Sequence, residues 1–258
     1  MKAGLEINRS FFEKKFSEVV DANLTSDKLI QDNIELKRTH TLHVCEEINN
    51  LSKLLNLSGR DSDLAYLIAL FHDLGRFEQF ARFKTFNDSV SVNHAIIAIN
   101  TLKKSSFLDY IPTEWHNNLF TAILNHNLPE IKTQKDKCTD LFCKLIRDAD
   151  KLDIWRIIND VELRKIVEGN PDEKIYEIPE KIYLRYKKHL FVPVEMAESV
   201  YDFRLVRAGW IFDINFNVTF RVIKERKLIG QILDTLPGSE ILTEIKNIVQ
   251  EYISEKSV

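Results

Sequence analysis

The apolar run at residues 64–71 ends in His72-Asp73, and any fold that buries the run must find partners for that doublet. An ionised carboxylate is tolerated in an interior only where a cation or hydrogen-bond donors offset its lost hydration. The doublet offers one nitrogen and one oxygen donor from a single helical stretch. Its prospective companions are His43 upstream and His94, His126 and Asp150 downstream, each on or at the end of its own helical pattern. Taken singly, a histidine at a helix edge is more often a hydrogen-bonded structural residue than a ligand. Taken together, six donors from five helices point to a buried metal site in a helical bundle. Imidazole nitrogens suit Fe, Mn, Zn, Co and Ni, and carboxylate oxygens add negative charge and can bridge two ions. His40, His116 and His189 read as surface or supporting groups.

Seven glycines and six prolines are few for 258 residues. That scarcity favours long helices with short connections over a sandwich or barrel, so the expected fold class is all-α. Residues 39–56 carry Val44, Ile48, Leu51 and Leu55 at helical spacing, with His43 at the edge of the stripe. A second helix is expected from 61 or 62 to about 77, capped by Asp61, with Leu64, Leu67, Ile68 and Phe71 on its core face. Ala65 and Ala69 leave room there for a close neighbour. Further helices are expected at 11–20, 28–36, 92–102, 114–125 and 140–159, and a loop at 80–89. Residues 211–222 have the composition of a strand but read as helix. Asn170-Pro171 is the best candidate for a boundary, yet 201–229 is too apolar to stand alone, so one domain over 1–258 is expected.

The formal charge is −3 and the basic residues are dispersed. Without a basic block, duplex nucleic acid is not expected as a partner; a small phosphorylated substrate needs only a few local cations. Cys45, Cys138 and Cys143 make no disulfide framework and read as reduced thiols of a cytoplasmic protein. No second Cys/His pair accompanies Cys138 and Cys143 to complete a zinc site. Residues 1–20 lack the apolar core of a signal peptide, and 64–71 is too short to span a bilayer. No membrane association is expected.

In this order, a histidine, a later His-Asp doublet and a final aspartate resemble the HD superfamily of metal-dependent phosphohydrolases. His43 matches the first histidine, His72 and Asp73 the doublet, and Asp150, within Ala149-Asp150-Lys151-Leu152, the last aspartate in preference to Asp148. The resemblance covers roughly 30–160, leaving an extension of helices over about 171–258. His-Asp-Leu-Gly-Arg-Phe-Glu-Gln from His72, followed by Ser-Val-Asn-His-Ala around His94, is similar to a bacterial group within that superfamily. The resemblance implies an HD-domain-like helical bundle and one or two divalent ions (Mn, Fe, Co, Ni, Zn or Mg). The additional His94 and His126 favour two. His43, His72, Asp73 and Asp150 would hold one ion, and Asp73 would bridge to a second on His94 and His126. The implied reaction is hydrolysis of a phosphomonoester or phosphodiester of a small metabolite or nucleotide by a metal-bound hydroxide.

Such a site also has to bind phosphate. Arg76 and Lys151, beside the proposed ligands, are expected to join Asp73 in catalysis, and Arg76, Arg82, Lys84 and Lys151 to contact substrate. Three subgroups of the superfamily fit poorly. The cyclic-dinucleotide phosphodiesterase signature does not follow His126, Leu74-Gly75-Arg76 replaces the Glu-Asp pair of the alarmone hydrolases, and the chain is short for a deoxynucleotide triphosphohydrolase. Two other readings keep the same residues: a di-iron oxygenase of the same fold, and a non-catalytic sensor or scaffold stabilised by metal.

Overall fold

A computed structural model describes residues 7–168 and 176–258, which contain helices and connections but no strand. Its contacts divide the chain into two compact units, Met1–Asp150 and Lys151–Val258. In the first unit lie α1 (Arg9–Asp21), α2 (Lys28–Leu54), α3 (Gly59–Phe71), α4 (Leu74–Phe83), α5 (His94–Lys104) and α6 (His116–Asn125). Helix α7 (Lys137–Asn159) begins in the first unit and ends in the second. The second unit continues with α8 (Val161–Glu168), α9 (Glu180–Lys187), α10 (Val200–Gly209), α11 (Asn217–Arg226), α12 (Leu228–Leu233) and α13 (Glu240–Lys256). The boundary expected at Asn170-Pro171 falls outside the described residues.

Helix α2 fuses the two helices expected at 28–36 and 39–56. Asp27 caps it by accepting from the Leu29 amide, and Ile30, Ile34, Thr41, Val44, Ile48 and Leu51 form one buried stripe. The charged Lys37-Arg38 pair looks like a break in the sequence, but long basic side chains cost a helix little. The chain then turns at Asn56 with φ of 54°, a left-handed conformation that asparagine adopts more readily than most residues. Ser58 rather than Asp61 caps α3, taking the Asp61 amide on its hydroxyl oxygen while its hydroxyl donates to the Asp61 carboxylate.

One continuous helix from 61 to 77 does not form. The helix ends at Phe71, His72 retains helical angles, and Asp73 moves to φ −103°, ψ 12°, the bridge region between helix and strand. A new helix, α4, starts at Leu74 and runs through the expected loop as far as Phe83. On an unbroken helix, His72 and Asp73 would project about 100° apart. The break lets both enter the same space.

Helix α5 lies unusually close to α4 at Gly75. A Cβ on Gly75 would come 2.0 Å from the His94 carbonyl oxygen and 2.7 Å from the Ala98 amide nitrogen. Backbone atoms cannot swing away as a flexible side chain can, so this position admits only hydrogen. Beneath these helices, edge-on aromatic pairs fill the core: Phe12 with Phe71 at 6.1 Å and Phe16 with Phe77 at 5.6 Å between centroids.

In the second unit, the Trp155 indole donates to the Arg207 carbonyl at 2.7 Å and the Tyr186 hydroxyl to the Leu205 carbonyl at 2.6 Å, so two large buried rings satisfy their polar ends. The strand-like stretch at 211–222 is a 3-10 turn (Trp210–Asp213), a short extended link and the start of α11. No helix among the described residues is long and apolar enough to cross a membrane.

Gly75→Ala should lower unfolding stability by about 3 kcal/mol, the upper range for overpacking. Urea denaturation measures this, and an unchanged midpoint would show that α4 and α5 have slack at their crossing.

Candidate metal centre

Six side chains converge inside the first unit. They come from α2 (His40), the α3–α4 junction (His72 and Asp73), the start of α5 (His94), the end of α6 (His126) and α7 (Asp150). His40, His72 and Asp150 offer ligand atoms within 4.8 Å of one another, and so do His72, Asp73 and His126. Neither grouping contains a cysteine. His72 and His94 have no exposed surface, His40 has 1% and Asp73 3%.

The backbone fixes the direction of each ring. His72 and His126 each follow the last residue of a helix and each donates Nδ1–H to the carbonyl three residues back, Ala69 and Ile123, at 2.6 Å. Those carbonyls belong to a helix end, where intrahelical partners run out. The contact satisfies the carbonyl, fixes the tautomer and turns a bare Nε2 toward the interior. His94 is held by a carboxylate instead: its Nδ1 lies 2.9 and 2.8 Å from the two oxygens of Asp88. His94 Nε2 then reaches within 3.0 Å of His126 Nε2 and 3.2 Å of Asp73 Oδ1.

Asp73 is the common neighbour. Its Oδ2 lies 2.7 Å from Lys37 Nζ and 3.6 Å from Nε2 of both His40 and His72. Its Oδ1 faces His94 at 3.2 Å, Arg76 Nε at 3.4 Å and His126 at 3.6 Å. Burial pushes this carboxyl up, but Lys37, His72 and the contacts from His126 and His94 outweigh it and hold Asp73 well below the usual carboxylate range. Asp150 is also held low against its own burial, chiefly by His40, whose Nε2 is 3.1 Å away. Burial drives His72 down to about 4, against the pull of Asp73 and Asp150, and lowers His126 as well. At neutral pH the cluster therefore presents ionised carboxylates with the neutral imidazoles of His72 and His126.

These donors fit a divalent metal. His72 Nε2 is wholly buried and has no hydrogen-bond partner among the described residues, a condition that costs stability unless something else uses the lone pair. Nitrogen and carboxylate oxygen together match Mn, Fe, Co, Ni or Zn.

Of the residues expected from sequence, His72, Asp73, His94, His126 and Asp150 come together, and Asp148 is in neither grouping. From α2 the structure brings His40, not the expected His43, into these groupings. The buried stripe of α2 passes through Val44 and Ile48, and His40 lies on it at the same four-residue step; His43 falls on the half-buried flank and belongs to neither grouping. That spacing was the available signal for His40, which reads in isolation as a supporting group.

The expected cations are dispersed. Lys151 pairs with Asp213 of the second unit at 2.7 Å, with 6% of its side chain exposed. Arg82 and Lys84 are mostly exposed and pair with Glu78 and Asp27, each at 2.6 Å. Only Arg76 stays beside the centre, and its Nη1 donates to Gln79, Asp88 and the Phe86 carbonyl. Lys37 and Asp88 are the polar neighbours that sequence reasoning missed: Lys37 sat in the supposed break of α2, and Asp88 in a loop without periodicity.

A helical interior that gathers four imidazoles and two carboxylates makes a candidate metal site. Residues 38–155 match the HD domain family. Members of that family are mostly metal-dependent hydrolases. No curated protein and no solved structure matches the chain.

His40→Ala should weaken Mn²⁺ binding by roughly 100-fold or more, the upper end of what loss of a group supporting a metal costs, whereas His43→Ala should leave it near wild type. Calorimetric titration separates the two, and the reverse ranking would return His43 to the site. A pH prediction follows from burial. An unfolded histidine takes its proton near 6.5 and folded His72 near 4, so in that window the unfolded chain binds more protons. Stability of chelator-treated protein should be complete above pH 6.5 and fall as the pH drops toward 4. Urea midpoints across that range test it, and a flat profile would show that His72 protonates freely in the folded protein.

Proposed function

We propose that this chain is a metal-dependent phosphohydrolase that cleaves a phosphomonoester or phosphodiester bond of a small phosphorylated metabolite or nucleotide. The observation carrying this reading is the division of labour at Asp73. One oxygen faces His40 and His72, the other faces His94 and His126, and Asp150 stands beside the first pair. A single carboxylate between two histidine pairs suits two cations that share it. His40, His72, Asp73 and Asp150 would hold one, and Asp73, His94 and His126 the other, with His40 in the place first expected of His43.

Bound divalent ions would acidify water for attack on phosphorus and neutralise charge on the phosphoryl oxygens. The chain supplies the rest. Asp73 and Asp150 remain ionised and His72 and His126 neutral, so all four present lone pairs at neutral pH. Nδ1 contacts on His72, His94 and His126 fix those rings in advance, which lowers the cost of organising the site. Lys37 and Arg76 lie on either side of Asp73 and provide fixed positive charge for a phosphate that enters there. Burial of the ligand atoms limits competing water and strengthens these interactions.

Asp73→Ala should remove most bound metal and reduce phosphate release by about 100-fold or more. Metal analysis of protein purified without chelators, paired with an anaerobic Mn²⁺ assay on phosphomonoesters and phosphodiesters, tests both halves. If Asp73→Ala retains metal and activity, the proposed site is wrong. Turnover that needs O₂ and releases no phosphate would replace hydrolysis with the oxygenase reading. Full metal content without turnover on any phosphoester would favour the sensor or scaffold.

A further inference from the structure

Asp88 lies on the link between α4 and α5 and belongs to no expected ligand set. Its side chain is 28% exposed, yet it gathers donors from three parts of the unit. Its Oδ1 accepts from Gln79 Nε2 at 2.8 Å, from Arg76 Nη1 at 3.2 Å and from the His94 backbone amide at 3.3 Å. Its Oδ2 accepts from Asn127 Nδ2 at 3.0 Å, just beyond His126. Both oxygens also lie within 2.9 Å of His94 Nδ1. A carboxylate that merely tethered the loop would be satisfied by Gln79, Arg76 and Asn127. Placing the ring nitrogen between both oxygens adds a directional constraint on His94.

That constraint has a chemical consequence. A ring nitrogen facing a carboxylate carries its proton, so Nε2 is left as the available donor atom, 3.2 Å from Asp73 Oδ1. His72 and His126 achieve the same orientation through backbone carbonyls of their own helices. His94 is the first residue of α5, and a helix start exposes amides rather than carbonyls. It therefore needs an acceptor from elsewhere in the chain. We propose that Asp88 is a positioning residue: it holds His94 in the Nδ1–H tautomer, aims Nε2 at Asp73 and so makes the His94/His126 half of the centre competent to bind its ion. The proposal rests on the two-cation reading above. It adds that, whereas His72 and His126 are oriented by carbonyls of their own helices, His94 is oriented by a loop carboxylate.

The test uses the full chain and Mn²⁺ alone. Asp88→Asn keeps the size of the side chain and one acceptor oxygen. Calorimetric titration of wild type should show two ions per chain. In Asp88→Asn one ion should bind roughly 10–100-fold less tightly, while the other changes by less than about threefold. Equal weakening of both, or of neither, overturns the positioning role. His94→Ala separates the two levels of the argument. If it still binds two ions, or if wild type binds one, the two-cation reading fails and this proposal with it; if it loses one ion where Asp88→Asn loses no affinity, Asp88 alone is misassigned. Should Asp88→Asn fail to fold, ¹⁵N-histidine NMR of wild type decides: a protonated Nδ1 on His94 supports the assignment and a bare Nδ1 overturns it.

Discussion

Asp73 is an ionised group held at 3% exposure with its two oxygens turned to different partners. Dehydrating a carboxylate this thoroughly costs several kcal/mol unless it is compensated, and the surrounding architecture supplies that compensation. Lys37 arrives from α2, one turn ahead of His40, and Arg76 from α4, one turn after Asp73 itself. Imidazoles arrive from α2, α3, α5 and the end of α6. The helices of the first unit therefore share a polar centre as well as an apolar core.

Three local devices bring those groups into range. The break at Asp73 turns consecutive residues toward one space. Gly75 lets α5 ride against the backbone of α4 and so carries His94 to the doublet. The ends of α3 and α6 place His72 and His126 where an unused carbonyl can fix each ring. Arg147 contributes from α7: buried at 3% exposure, it donates to the His126 carbonyl at 2.9 Å and to that of Leu128, steadying the chain just after α6. Helix ends that usually rely on water or glycine here take their partners from residues that frame the centre.

Much of this was legible in the chain. The all-helical class followed from scarce glycine and proline and from apolar spacing; His72, Asp73, His94 and His126 stood on or at the end of helical patterns, while Asp150, in a charged stretch, was picked out only by the resemblance to the HD superfamily. His43 and His40 were harder to separate. His40 lies on the buried stripe and His43 on its flank, and three residues of helix differ by only about 60° in direction. The cations were read by proximity in sequence, which fails for long side chains: Lys151 adjoins Asp150 but pairs with Asp213, while Lys37, 36 residues before Asp73, touches it. Asp88 had no periodic pattern to mark it, since a loop carboxylate gains its meaning from what folds around it.

The amino-acid sequence by itself determined that the chain is helical, that an apolar run carries a His-Asp doublet inward, and that further imidazole and carboxylate donors lie on separate helices. These are local properties, set by side-chain periodicity and by the cost of burying charge. Tertiary structure decided which histidine of α2 enters the centre, which cation neutralises Asp73, and which acceptor orients His94. Those choices depend on ångström-scale helix register and on contacts between residues far apart in the chain, and neither is encoded in any single segment.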